Sequence, residues 1–101
     1  MLKKTYLKTK PECKVYFKLP KNVVNGAEEV HVVGDFNDWD EESTPMKKLK
    51  SGDFTLKLNL DVENDYEFRY LVDGKEWINE EEADGLAGTP YPDTYNSVIS
   101  L

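Results

Sequence analysis

At 101 residues the chain has room for one domain, and its 39% hydrophobic content supports one modest core. Thirteen basic against twenty acidic residues leave a net charge of −7 and a pI near 4.7, which repels phosphate backbones and anionic lipid, so neither nucleic acid nor membrane is expected as a partner. The one cysteine, Cys13, excludes an internal disulfide and a cysteine-built metal site, and the expectation is a small, soluble, cytoplasmic domain.

The start, Met1–Lys8, is basic and lacks the apolar stretch of a secretory signal. Residues 1–12 therefore read as an N-terminal extension, with an edge strand as one option. Cys13, Val15, Phe17 and Leu19 then alternate with Lys14, Tyr16 and Lys18, the period of a half-buried strand. Asn25-Gly26 supplies a tight connection, and Val30-His-Val-Val-Gly34 is the next strand. A loop rich in Asp and Asn follows from Asp35 to Thr44, with a short strand at Pro45–Leu49. After Ser51-Gly52, Phe54, Leu56, Leu58 and Leu60 alternate with Thr55, Lys57 and Asn59. Tyr66, Phe68, Tyr70 and Val72 repeat that pattern, and Asp73-Gly74 turns the chain into Lys75-Glu-Trp-Ile78. Asn79–Asp93 reads as irregular, with at most one helical turn at Glu80–Ala83, and Asn96–Leu101 closes the chain as a strand.

About seven short strands without a long helical period indicate an all-β fold, an antiparallel β-sandwich over residues 13–101. Its expected core is Val15, Phe17, Val32, Phe54, Leu56, Leu58, Phe68, Tyr70 and Val98.

The residue types that carry catalysis are poorly arranged for it. Asp35-x-Asn37-x-Trp39 begins like a calcium loop, but Trp39 occupies a ligand position and the following glycine is absent, so no metal site is expected. His31 lies on the strand face opposite Val30 and Val32 and has no second histidine to join. Cys13 is in phase with the apolar face, a filler rather than a thiolate nucleophile. There is no Gly-x-Ser-x-Gly elbow and no glycine-rich phosphate loop, and a paired-carboxylate mechanism needs a cleft that so small a sandwich hardly provides. No cofactor and no catalytic residue is expected.

The aromatics divide into two groups. Phe17, Phe36, Phe54 and Phe68 fall on apolar faces, whereas Trp39 stands among Asn37, Asp38, Asp40 and Glu41, and Trp77 follows a hairpin turn. An indole in a wet loop is a platform for the apolar face of a sugar ring. The alternative, with both rings folded back on the sandwich edge, stays open from the residues alone.

Val30-His-Val-Val-Gly-Asp-Phe-Asn-Asp-Trp39 resembles the G-x-F-N-x-W segment of carbohydrate-binding module family 48. Those early-set, immunoglobulin-like sandwiches include the N-terminal domains of isoamylases and glycogen-branching enzymes and the glycogen-binding domain of the AMP-activated kinase β subunit. Tyr66-Glu-Phe-Arg-Tyr-Leu-Val-Asp-Gly74-x-x-Trp77 is similar to the second family signature, and Asn96-Ser-Val-Ile99 to its closing strand. The resemblance spans about Cys13 to Leu101, and the chain with its Lys-rich start looks like the stand-alone bacterial members. It implies an α-1,4-glucan partner such as glycogen or maltooligosaccharide, contacted by Trp39, Trp77, Arg69 and Asn96, with Thr94 beside Asn96. It also implies a glycan-metabolising enzyme as a possible protein partner.

The chain departs from the family at three places. The basic residue is Arg69 rather than lysine, the Gly74–Trp77 hairpin has one residue more than the kinase type, and Thr89–Asp93 offers Tyr91 where the family has an apolar residue. Residue chemistry leaves two further readings open: a cross-strand ion pair for Arg69, and a turn cap for Asn96. Two functions follow: a non-catalytic α-glucan-binding module, or an assembly sandwich without sugar binding that docks on another protein. Exposed tryptophans sharing a face with Arg69 and Asn96 favour the first; buried ones favour the second.

Overall fold

Nine strands follow one another in the computed structural model, which describes residues 1–101: β1 (Leu2–Tyr6), β2 (Glu12–Leu19), β3 (Val30–Gly34), β4 (Lys47–Lys48), β5 (Phe54–Asp61), β6 (Asp65–Val72), β7 (Glu76–Ile78), β8 (Gly85–Gly88) and β9 (Tyr95–Ser100). The first sheet has the order β1-β2-β5-β4, and the second β3-β6-β9-β8, with β7 paired to the far half of β6. All pairings are antiparallel. The long strands each bury one face, and the two inner faces enclose a single core.

Alternation settles most of that core. Cys13, Val15, Phe17 and Leu19 point inward from β2, while Phe68 and Tyr70 point inward from β6. Phe17 packs edge-on against Phe68 at 5.4 Å and Tyr70 at 6.5 Å, the geometry that sets a ring's positive edge on its neighbour's negative face. Leu56 and Leu58 share the inward side of β5 but lie at the margin of the core, half-buried, whereas Phe54 and Leu60 are buried.

Three expectations are corrected. There are nine strands rather than about seven, because β1 pairs with β2 from Leu2↔Phe17 to Tyr6↔Cys13 and because β8 lies within the stretch read as irregular. Gly-Leu-Ala-Gly carries no alternation, so only its ladder with β9 makes it a strand. Val98 does not belong to the core: it faces outward opposite Glu67, and Ser97 and Ile99 are the buried residues. Val98 and Ile99 are adjacent and both apolar, so composition left the phase open. The hydrogen bonds of buried Ser97 decide it: its Oγ accepts from Glu80 N at 2.9 Å and donates to Asn79 Oδ1 at 2.8 Å.

Candidate functional site

The chain leaves β3 through a corner that Gly34 makes possible. A Cβ there would sit 2.4 Å from the Glu67 carbonyl oxygen and 2.6 Å from Phe68 Cβ, so β3 and β6 approach closely only with glycine. Phe36 turns back onto the core beside Phe17 and Tyr66. Asn37 ties the loop: its Oδ1 accepts from Gly34 N at 3.1 Å, and its Nδ2 lies 2.8 Å from Thr44 Oγ1 and 3.2 Å from the Val32 and Asp40 carbonyls. Asp38 and Trp39 both adopt left-handed backbone, with φ of 55° and 58°. That conformation is unusual for a bulky side chain and is held here by the loop's hydrogen bonds.

Trp39 is half-buried, and its orientation is fixed by Asp35. Nε1 donates to Asp35 Oδ1 at 2.9 Å, and the other oxygen, Oδ2, accepts from Glu67 N at 2.8 Å. One carboxylate thus pins the indole to β6 at the level of Glu67.

Glu67, Arg69 and Leu71 lie on the outer side of the second sheet, since Phe68 and Tyr70 point inward; Glu67 and Arg69 are half-buried there and Leu71 is buried. Trp77 stands directly opposite Leu71 on β7, in a strand rather than a loop, and is 39% exposed. The turn before it has Asp73 and Gly74 at its centre, with φ of 50° and 67°, and is closed by Lys75 N donating to the Val72 carbonyl at 3.0 Å. Asp73 Oδ1 also accepts from Glu28 N and Glu29 N, both at 3.0 Å. From the Glu67 level to the Leu71 level is four residues of strand, or roughly 13 Å. Trp39 is anchored at one end of that span, Trp77 at the other, and Arg69 lies between them.

Arg69 forms no ion pair. Its Nε and Nη2 donate to the Tyr95 carbonyl at 2.9 and 2.5 Å, which leaves Nη1 without a protein partner. Asn96 is not a turn cap: its Nδ2 donates to Glu67 Oε1 at 3.1 Å, leaving its own carbonyl oxygen as an acceptor. Thr94, at the rim just before β9, hydrogen-bonds the Tyr91 and Pro92 carbonyls at 3.0 Å each, so its hydroxyl is engaged within its own loop. Tyr91 does not pack, being 74% exposed.

From this face a polar chain that sequence reasoning did not find runs inward, from exposed Tyr95 and Asn79 to buried Ser97 and Glu80. The Tyr95 carbonyl that holds Arg69 also accepts from Asn79 Nδ2 at 3.0 Å, and Asn79 in turn accepts from Ser97. Glu80, almost wholly buried, accepts from Tyr70 OH at 2.7 Å and from the Met1 amino nitrogen at 2.6 Å. Burial, reinforced by the Glu80 carboxylate, pushes the Tyr70 phenol far above the usual tyrosine range, so it remains a donor. Glu80 sits in a run of three glutamates that reads as a solvated turn, and only its position over Tyr70 distinguishes it. Asp35 and Glu67, which hold Trp39 and Asn96, were likewise missed; the one available signal was the phase of Glu67 with Arg69.

Arg69, Trp77 and Asn96 share the outer side of the second sheet, Trp39 is tied to the Glu67 end of β6 through Asp35, and Thr94 lies at the border. The face is open rather than a cleft, and free acceptors and donors lie between two indoles. The class of protein this defines is a β-sandwich with a flat aromatic and amide surface, suited to polyhydroxylated rings by stacking and hydrogen bonding.

The sequence profile of carbohydrate-binding module 48 (isoamylase N-terminal domain) matches residues 24–89, and the chain belongs to that family. A module of this family is a non-catalytic carbohydrate-binding domain with an immunoglobulin-like fold. The matched span includes Trp39, Arg69 and Trp77 and ends before Thr94 and Asn96. No curated protein matches the chain.

Proposed function

We propose that the protein is a non-catalytic module for α-glucan chains (glycogen, starch or maltooligosaccharide) that serves a glycan-metabolising enzyme. The observation that carries this reading is the placement of Trp39 and Trp77 at the two ends of the outward row Glu67–Arg69–Leu71. Two platforms about 13 Å apart along a strand exceed one pyranose ring, so the ligand is an oligomer of several linked sugars. Arg69 Nη1, the Asn96 carbonyl and the Glu67 carboxylate meet hydroxyls between the stacked rings. A neutral glucan needs no counter-charge, which suits a chain of net charge −7.

So open a face excludes water poorly, and the affinity expected is micromolar to millimolar, on the order of −4 to −8 kcal/mol. Tryptophan fluorescence titrated with maltoheptaose tests the proposal: a saturable change is expected in the wild type. Trp39→Ala and Trp77→Ala should each lose roughly 1–3 kcal/mol of affinity. No change at high sugar concentration removes the reading. It would favour the assembly domain, which takes its own support from Leu86, 64% exposed on the edge strand β8 near exposed Tyr95.

A further inference from the structure

The opposite face of the sandwich has a different chemistry. Directly paired residues on the outside of the first sheet form three cross-strand rows: Lys18–Thr55–Lys47, Lys3–Tyr16–Lys57 and Thr5–Lys14–Asn59. These rows hold five lysines and no carboxylate; the first acidic pair, Glu12 and Asp61, lies beyond their end. Only Lys18 forms an ion pair, with Asp53 at 3.9 Å. On a chain of net charge −7, five lysines gathered on one face (−7 less +5) leave an excess of twelve negative charges elsewhere. The charge is segregated, not mixed.

The face is also recessed. Lys3, Thr5, Lys14, Tyr16 and Lys57 line a depression of about 310 Å³. It continues across Tyr16 and Lys57 into a second of about 430 Å³, whose walls add Pro45, Leu49 and Lys47. Lys57 Nζ stands 5.9 Å from the centre of the Tyr16 ring, within cation–π range. Ammonium groups therefore surround an apolar floor. A neutral glucan has no use for four unpaired lysines, and the indoles lie on the other sheet.

We propose that this groove is a second binding site, which takes a short acidic segment of a partner protein with an apolar side chain in its middle. Its carboxylates would meet Lys3, Lys14, Lys47 and Lys57 while the apolar side chain rests on Tyr16 and Leu49. The size of the groove selects a short segment: three strand spacings of about 4.8 Å give roughly 14 Å, the length of four or five extended residues. A longer polyanion, such as nucleic acid or an anionic membrane, runs off the groove onto the acidic remainder of the surface and is repelled there. Because the two faces belong to opposite sheets, the module can hold carbohydrate and acidic partner together, which makes it a tether between them.

The test uses a fluorescein-labelled peptide, Glu-Glu-Leu-Glu-Glu, followed by anisotropy against the full chain. Saturable binding at low salt is expected, with at least about a tenfold loss at 0.3 M NaCl, where charges are screened beyond several ångströms. The triple variant Lys3→Glu, Lys14→Glu and Lys57→Glu should abolish binding. The control Lys8→Glu, Lys10→Glu and Lys75→Glu makes the same change in net charge off the groove and should stay within about twofold of wild type. All six lysines are on the surface, and circular dichroism of each variant checks the fold. Absence of binding by the wild type, or equal loss in both triple variants, overturns the proposal. Tighter binding of a single-stranded oligonucleotide or of phosphatidylserine vesicles at the same salt also overturns it, in favour of those partners. The maltoheptaose titration, which the groove variant should leave unchanged, reads the glucan face separately.

Discussion

Asp35→Ala is the most informative single change, because Asp35 stacks against nothing and yet is expected to govern binding by Trp39. Its two carboxylate oxygens accept from Trp39 Nε1 and Glu67 N. Hydrogen bonds to charged acceptors are worth roughly 1.5–3 kcal/mol when shielded and nearer 1 kcal/mol when exposed. Asp35 is exposed, so the pair should contribute about 2 kcal/mol of stability. The larger consequence is orientation. Trp39 keeps left-handed backbone at φ 58°, and without its Nε1 anchor the indole is free to take other rotamers. Losing most of one stacked ring, about 1.4 kcal/mol or more, weakens maltoheptaose tenfold or more. Chemical denaturation gives the stability change, and fluorescence titration of the same variant gives the affinity. Wild-type affinity in a folded Asp35→Ala variant would refute the chain of support from β6 through Asp35 to the indole.

Phe54→Ala should cost about 3–5 kcal/mol, whereas Val98→Ala, on the outer face, should cost under about 1.5 kcal/mol; reversed denaturation midpoints would show that the inner faces are misassigned. Gly34→Ala forces β3 away from β6 and should destabilise by roughly 3 kcal/mol while also weakening sugar binding, since the displaced backbone carries Asp35; an unchanged midpoint would contradict the close approach. Burial alone pushes the Asp84 carboxyl up, but hydrogen bonds from Lys4 Nζ and Ser100 N, with the Lys4 charge, bring it below its ordinary value of 3.8. A depressed carboxyl stabilises the fold fully above that value, and the contribution is lost as pH falls from there through the lower folded-state value; protection of the β1 amides against exchange should therefore drop below about pH 4, and Asp84→Asn should remove that pH dependence. The isolated protein should release no reducing sugar from soluble starch; release above a heat-killed control, lost on mutating one carboxylate, would reveal an enzyme instead.

Sequence alone carried the strands whose two faces differ. In β2 and β6 the apolar residues recur every second position, and that phase by itself put Phe17 and Phe68 inside and Arg69 outside. It also carried the turns, because Asn25-Gly26 and Asp73-Gly74 are residues that tolerate positive φ, and all four adopt it. The motif around Trp39 was legible as a pattern, but its reasons are tertiary: Gly34 is needed because Glu67 and Phe68 lie against it, 33 and 34 residues further along the chain.

Where adjacent residues are alike, or where a strand has no pattern, local signals are silent. Val98 and Ile99 are both apolar, so only the register against β6 and the hydrogen bonds of Ser97 choose which one enters the core. Gly85–Gly88 becomes a strand because β9 offers it a ladder, and Glu80 becomes a buried acceptor because Tyr70 lies beside it. The outward rows of lysine were visible as letters on four separate strands, yet their union into one basic face depends on which strands are neighbours. Period and turn chemistry are properties of nearby residues and survive in the sequence; pairing, burial of single polar groups and the segregation of charge depend on distant segments meeting, and only the folded sandwich decides them.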